Sequence, residues 1–347
     1  MKFLSVLTGA ASVSAVALRD VSKGQLDVTL QAVGNSQVKA TVQNNGKDDI
    51  SLLKPGSIFD SSAVQKVKVT TGDHAVPFLG IKKRISTSKI QDSAIQRIPA
   101  GQSIEISIDV AQAHDLSTGG KFSVNAAGSL SVVGQDGITG AVPYKSNTVE
   151  VSVEGRHAAA ARHAFAQTMK RSVVQSDCQG QKLQVTQTAL RNCQQLATAA
   201  GRAASSGSAN KMQEYFKASD SQTRQEVAGV FSRVARECSS TSSGVAQYYC
   251  SDVGNDCGGN VLAYTVPSES YMVYCDLYFD DLPAVTRECH AQDQATTNIH
   301  EDTHLSQIQG TDDLGYGYDA VQGLSANQEL NNADTYALFA NAIYAGC

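Results

Sequence analysis

All eight cysteines of this chain lie in its second half, at Cys178, Cys193, Cys238, Cys250, Cys257, Cys275, Cys289 and Cys347. Nothing else in the sequence constrains the fold as strongly. An even set of thiols in an exported chain predicts four disulfides, although spacing alone leaves roughly a hundred pairings open. The half without cysteine has only its core to hold it. The start of the chain supports export. Lys2 precedes an uncharged run from Phe3 to Leu18, with Ala15-Val16-Ala17 as a small-residue cleavage site. That is the layout of a secretory signal peptide, 1–18, and the run is short for a membrane span. A secreted, soluble protein with no membrane association after signal removal is expected.

Charge divides at the same place. Residues 1–171 carry 19 Lys and Arg against 13 Asp and Glu, a net of +6, and residues 172–347 carry 9 against 20, a net of −11. Opposite signs on two halves of one chain point to complementary surfaces, or to a basic substrate for the acidic half. No basic patch interleaved with aromatics occurs, so a nucleic-acid partner is not expected.

The 347 residues are enough for two domains. Over 24–154 the segments LDVTLQAV, QVKATVQNN, VQKVKVTTG, QSIEISIDV, KFSVNAAGSLSVVG and NTVEVSVEG alternate apolar and polar residues, with Gly, Asn and Asp between them. This period of two predicts an all-β unit of immunoglobulin-like sandwich type. His74 and His114 are isolated there and form no cluster. Residues 155–171 are basic and alanine-rich and end in Lys170-Arg171, so they read as a linker with a dibasic processing point. The mature chain would then begin at Ser172, leaving 19–171 as a propeptide and 172–347 as the working domain. From 178 onward the apolar spacing becomes three and four, predicting helices over QKLQVTQTALRNCQQLATAAGRAA and SQTRQEVAGVFSRVARECS, the second capped by Asp220 or Ser221. A small β element is expected from NVLAYTV and YMVYCDLYF, followed by a last helix around NNADTYALFANAIY. The fold class expected is therefore α+β: an all-β first unit followed by a mainly helical second unit with a small β element.

Within the second half, His300, Glu301 and His304 form H-E-x-x-H. On a helix, residues four apart share a face, so both imidazoles can reach one ion while the glutamate lies beside its water. A catalytic zinc needs a third protein ligand and one open position. A third histidine six residues on is excluded, because that position is Gly310. Asp312, Asp313 and Asp319 follow in a glycine-rich loop, and Glu329 lies 25 residues past His304. The residues alone leave these carboxylates open.

Gly310-Thr311-Asp312-Asp313-Leu314-Gly315-Tyr316-Gly317 resembles the G-T-x-D-x-x-Y-G pattern of the deuterolysin family, the aspzincin metalloendopeptidases. CHAQDQATTNIHEDTH, NVLAYTVPS and NNADTYALFANAI are similar to family sequence as well, and the first half resembles the family's propeptide. The loop LSQIQ between His304 and Gly310 is shorter than the family's and lacks its proline. The resemblance implies His300, His304 and Asp313 as ligands of one Zn2+ per chain, and Glu301 as the catalytic carboxylate. Tyr316 would stand beside the reacting carbonyl. Tyr278, in CDLYF, matches a second tyrosine implicated in activity. Asp334 matches a further aspartate, expected to act in specificity or beside the ligands. The disulfides implied are Cys178–Cys250, Cys257–Cys275 and Cys289–Cys347, which leaves Cys193 and Cys238 as a fourth pair.

The expectation is a secreted monomeric zinc endopeptidase, made as a zymogen and favouring basic protein or peptide substrates, with its own propeptide as inhibitor or folding aid. In that reading residues 156–171 cross or approach the cleft, and His157 and His163 are expected as solvated linker histidines, with the open zinc position as their alternative place. The alternative is a non-enzymatic secreted binding protein with a structural metal site closed by four ligands.

Overall fold

The computed structural model describes residues 25–135, 137–169, 177–240 and 244–347. The signal-peptide segment, Lys170, Arg171 and Ser172 lie outside the described residues. The fold is mixed α and β.

The alternation in the first half has a direct packing consequence. In Gln37–Asn44 the side chains of Val38, Ala40 and Val42 are buried while those between them are not. This strand pairs antiparallel with Leu26–Gly34 on one side and Ser103–Asp109 on the other. A second sheet orders Gly137–Lys145, Ala127–Gly134, Ile50–Leu53 and Ile95–Ile98. A third orders Val149–Val153, Gly120–Asn125, Lys68–Thr71 and His74–Ala75. Their inward faces share one core that includes Val38, Leu52, Ile98, Phe122 and Val151. Residues 155–169 differ from the expected linker. They include the helix Gly155–Met169, and its Ala158 is fully buried in that same core. His157 is largely exposed, 3.4 Å from Glu154.

In the second half, Gly180–Ser206 and Ser221–Cys238 pack along each other. The buried face of the first includes Ala189, Leu190, Cys193, Leu196, Ala197, Ala200 and Ala204, which is helical spacing. Asp220 caps the second by accepting hydrogen bonds from Gln222 N and Thr223 N. Phe216, Phe231, Tyr336 and Phe339 close the core with edge and stacked ring contacts. All four disulfides are present: Cys178–Cys250, Cys193–Cys238, Cys257–Cys275 and Cys289–Cys347.

YMVYCDLYF does not stay extended. Its strand is Tyr271–Tyr274, and beyond Cys275, tied to Cys257, the helix Asp276–Asp280 begins. Tyr271–Tyr274 runs parallel to Gln247–Tyr249 and antiparallel to Val261–Val266. The other edge of Val261–Val266 is taken by Lys82–Ile85, a strand from the first half. One sheet therefore contains both halves of the chain.

Candidate metal centre

The helix Gln294–His304 carries the two histidines, and every one of its residues is buried. Its own propensity is modest, with three threonines in eleven positions, so tertiary packing holds it. Asp293 starts it with a reciprocal cap, accepting from Thr296 N at 2.7 Å while Thr296 Oγ1 lies 3.2 Å from Asp293 N. After His304 the chain turns back through Gly310, whose φ of +72° suits glycine. Thr311 N then donates to Thr303 O at 3.0 Å, and the Thr303 and Thr311 hydroxyls are 2.8 Å apart. This short return brings Asp313 under both imidazoles.

Asp313 Oδ1 lies 3.1 Å from His300 Nε2 and 3.3 Å from His304 Nε2, and the two rings are nearly perpendicular. His304 Nδ1 faces Thr311 O at 2.9 Å, so its ring proton has an acceptor there and Nε2 keeps its lone pair. His300 Nδ1 is 3.5 Å from Asp334 Oδ1 and 3.1 Å from Arg84 Nη1. Burial, with Arg84 adding to it, pushes the His300 pKa down to about 3, which leaves the neutral ring a metal accepts. Buried His300 Nε2, His304 Nε2, Asp313 Oδ1 and Glu301 Oε1 have no hydrogen-bond partner. Buried polar atoms seldom stand unpaired, and two nitrogens and a carboxylate oxygen converging unpaired suit a divalent cation. The donor set therefore fits zinc.

Glu301 Oε2 accepts a hydrogen bond from Thr265 Oγ1 at 2.5 Å, and burial pushes its pKa up to about 7. A carboxyl so placed can both take and return a proton near neutrality. Tyr316 stacks 6.2 Å from the His300 ring and donates its hydroxyl to Lys83 O at 2.7 Å. Asp334 Oδ2 accepts from Gly317 N at 2.5 Å, and Oδ1 faces Arg84 in a buried ion pair.

Several candidates stand elsewhere. Asp312 pairs with Lys82 and accepts from Asn331 Nδ2. Asp319 sits in the short helix Tyr318–Gln322. Glu329 Oε2 accepts from Thr335 Oγ1 at 2.6 Å, with Lys217 Nζ 3.4 Å from its other oxygen, so it is not placed as a ligand. Tyr278 is fully buried, donates to Asn298 Oδ1 at 3.3 Å and stacks on Tyr274 at 4.3 Å. Those contacts are packing contacts, and none joins Tyr278 to the imidazoles. Cys193, Cys238 and Asp302 also cluster, but the two sulfurs are already bonded to each other.

Sequence reasoning missed Lys82, Lys83 and Arg84, which border the centre at 6%, 4% and 1% exposure. Three consecutive cations match no ligand or catalytic motif, and no periodic signal marked them.

A family model described as the deuterolysin metalloprotease (M35) family matches residues 2–347. The chain is 46% identical over 350 residues to a neutral protease 2 homolog of Colletotrichum graminicola, spanning 100% of this chain and 98% of that one. Neutral protease 2 of Aspergillus oryzae is 44% identical over 324 residues, 93% of this chain and 92% of that protein. A solved zinc peptidase from Grifola frondosa superposes with a TM-score of 0.39 at 19% identity, covering 48% of this chain and 97% of that chain.

Proposed function

Because this chain belongs to the deuterolysin metalloprotease (M35) family and is a zinc metalloendopeptidase, we propose that His300, His304 and Asp313 hold its metal and that Glu301 carries the protons. The observation that carries this reading is the convergence of three unpartnered ligand atoms beside the Glu301 carboxylate. A zinc ion held there supplies a polarised carbonyl and a water of lowered pKa. Glu301 takes the proton of the attacking water and returns it to the leaving amine. Thr265 orients that carboxyl by donating to Oε2. Tyr316 points its hydroxyl at a backbone carbonyl, here Lys83 O, as a donor to a developing oxyanion would. Asp334 steadies His300 from the Nδ1 side and gives basic side chains a carboxylate partner.

In the same reading the enzyme is secreted after loss of residues 1–18. Residues 19–171, with immunoglobulin-like sheets, are a propeptide removed at Lys170-Arg171, and residues 172–347 form the mature enzyme. Basic proteins are favoured because the catalytic half is acidic and Asp334 is buried near the ligands. Four disulfides suit an oxidising destination.

Glu301→Gln tests the centre. It should lower kcat/KM by at least about 100-fold, the usual contribution of general acid–base catalysis, while zinc content stays as in the parent. Retention of activity within tenfold would refute the assignment of Glu301.

A further inference from the structure

The proposed centre is closed in this structure. His300 and Glu301 are 0% exposed and His304 1%, and Asp313 is 8% exposed at its side chain. A peptidase centre has to admit a peptide, and the segment that covers this one is itself an extended peptide. Lys82–Ile85 pairs antiparallel along Val261–Val266, setting Lys82 opposite Thr265, Lys83 opposite Tyr264 and Arg84 opposite Ala263. Thr265 is also the residue that holds Glu301.

The contacts of this strand with the centre are those a substrate would make. Tyr316 donates to its Lys83 carbonyl at 2.7 Å, and its Lys83 N–H donates to Asp313 Oδ2 at 3.2 Å. The Arg84 guanidinium enters a buried site against Asp334, with Nη1 3.1 Å from His300 Nδ1. Lys82 pairs with Asp312. Gln292 Nε2 donates to Ile85 O at 2.8 Å. A cation this deeply buried needs an anionic partner, and for Arg84 and Lys82 the partner comes from the other half of the chain.

We propose that the edge of Val261–Val266 together with Asp334 is a binding groove for an extended, arginine-bearing peptide, and that Lys82–Ile85 is its tethered occupant. This rests on the peptidase reading and deepens it by naming what fills the groove. The mode is strand addition, in which backbone bonds give affinity and a side-chain pocket gives selectivity. A strand held this way competes with substrate whether or not it is itself cut. Latency then lies in residues 82–85 rather than in 156–171, whose His157 ring is exposed.

The test uses the full chain. Arg84→Ala should raise kcat/KM on a quenched fluorogenic peptide at least tenfold over the parent. Arg97→Ala, at an exposed ion pair with Asp92, should leave it unchanged. Lys82→Met removes a second anchor and should give a smaller rise, so the proposal stays testable if Arg84→Ala does not fold. Binding is read separately by fluorescence anisotropy of the labelled hexapeptide Ile-Lys-Lys-Arg-Ile-Ser. It should bind the variants at least tenfold more tightly than the parent, and its Arg-to-Ala analogue should bind them weakly. Folded variants that stay as latent as the parent, or that bind the hexapeptide no better, overturn the groove assignment. If variant activity survives Glu301→Gln and chelation, the centre is misassigned, and the anisotropy result still decides the groove by itself.

Discussion

Asp312 and Asp313 are neighbours of identical chemistry, yet only one meets the imidazoles. Asp313 Oδ1 sits within 3.3 Å of both Nε2 atoms, while Asp312 is taken by Lys82 and Asn331. The deciding contact is backbone: Asp312 N donates to Asn331 O at 2.8 Å and Ala333 N to Asp312 O at 3.0 Å, which turns Asp312 away. Asp313→Ala should therefore weaken zinc binding by more than about 100-fold, the upper end of what losing a partner outside the ligand shell costs. Competition with a chromophoric chelator measures it, and Asp312→Ala serves as the contrast. Added zinc should also raise the Tm of the parent and leave that of Asp313→Ala unmoved, since a ligand stabilises only the state that binds it.

Among the secondary-structure elements, the short helix Ala326–Leu330 makes a separate prediction through Glu329. Burial pushes its pKa from the usual 4.5 up to about 7, despite Lys217 nearby. Between those values the folded chain holds a proton that the unfolded chain has released. Stability is thus lost as pH rises through this window, and the loss is complete above about 7. Glu329→Gln keeps an oxygen for Thr335 and cannot ionise. Its stability relative to the parent should climb from pH 5 to pH 8 by on the order of 2–3 kcal/mol at most. Urea melts at the two pH values measure it, and a constant difference would contradict the buried ionisation.

Elements also show how far patterns could be read. The alternation in QVKATVQNN matched a strand because one face of Gln37–Asn44 meets a core. Lys82–Ile85 has no such alternation, since all four residues are buried on both faces by partners from both halves. Ile50–Leu53 and Ile95–Ile98 are four residues each, too short for a period to declare itself. In YMVYCDLYF the strand stops at Tyr274, and Cys275 stands at the N-terminus of the helix Asp276–Asp280.

Across the whole molecule, the two halves address stability differently. Cysteine-free sheets rest on one shared core, while the second half is cross-linked four times. Cys193–Cys238 joins the two long helices across 45 residues of sequence. An isolated loop of that length would contribute about 4 kcal/mol in the chain-entropy account. Because Cys178–Cys250 already encloses it, the double variant Cys193→Ser with Cys238→Ser should lose about 2–3 kcal/mol in urea melts. A loss below about 1 kcal/mol would show the bridge to be redundant.

Local chemistry was enough to mark His300, Glu301 and His304, because helical periodicity alone puts residues four apart on one face. It was also enough to mark strands such as Gln37–Asn44 and helices such as Ser221–Cys238, since each periodicity records which side of an element meets a core. Only tertiary structure set Asp313 against both imidazoles, stacked Tyr278 on Tyr274 and brought three adjacent cations beside them. Those outcomes depend on which groups meet across more than two hundred residues, as Arg84 and His300 do. Buried charges settle where opposite charges and backbone donors are brought to them, and no local period encodes that meeting.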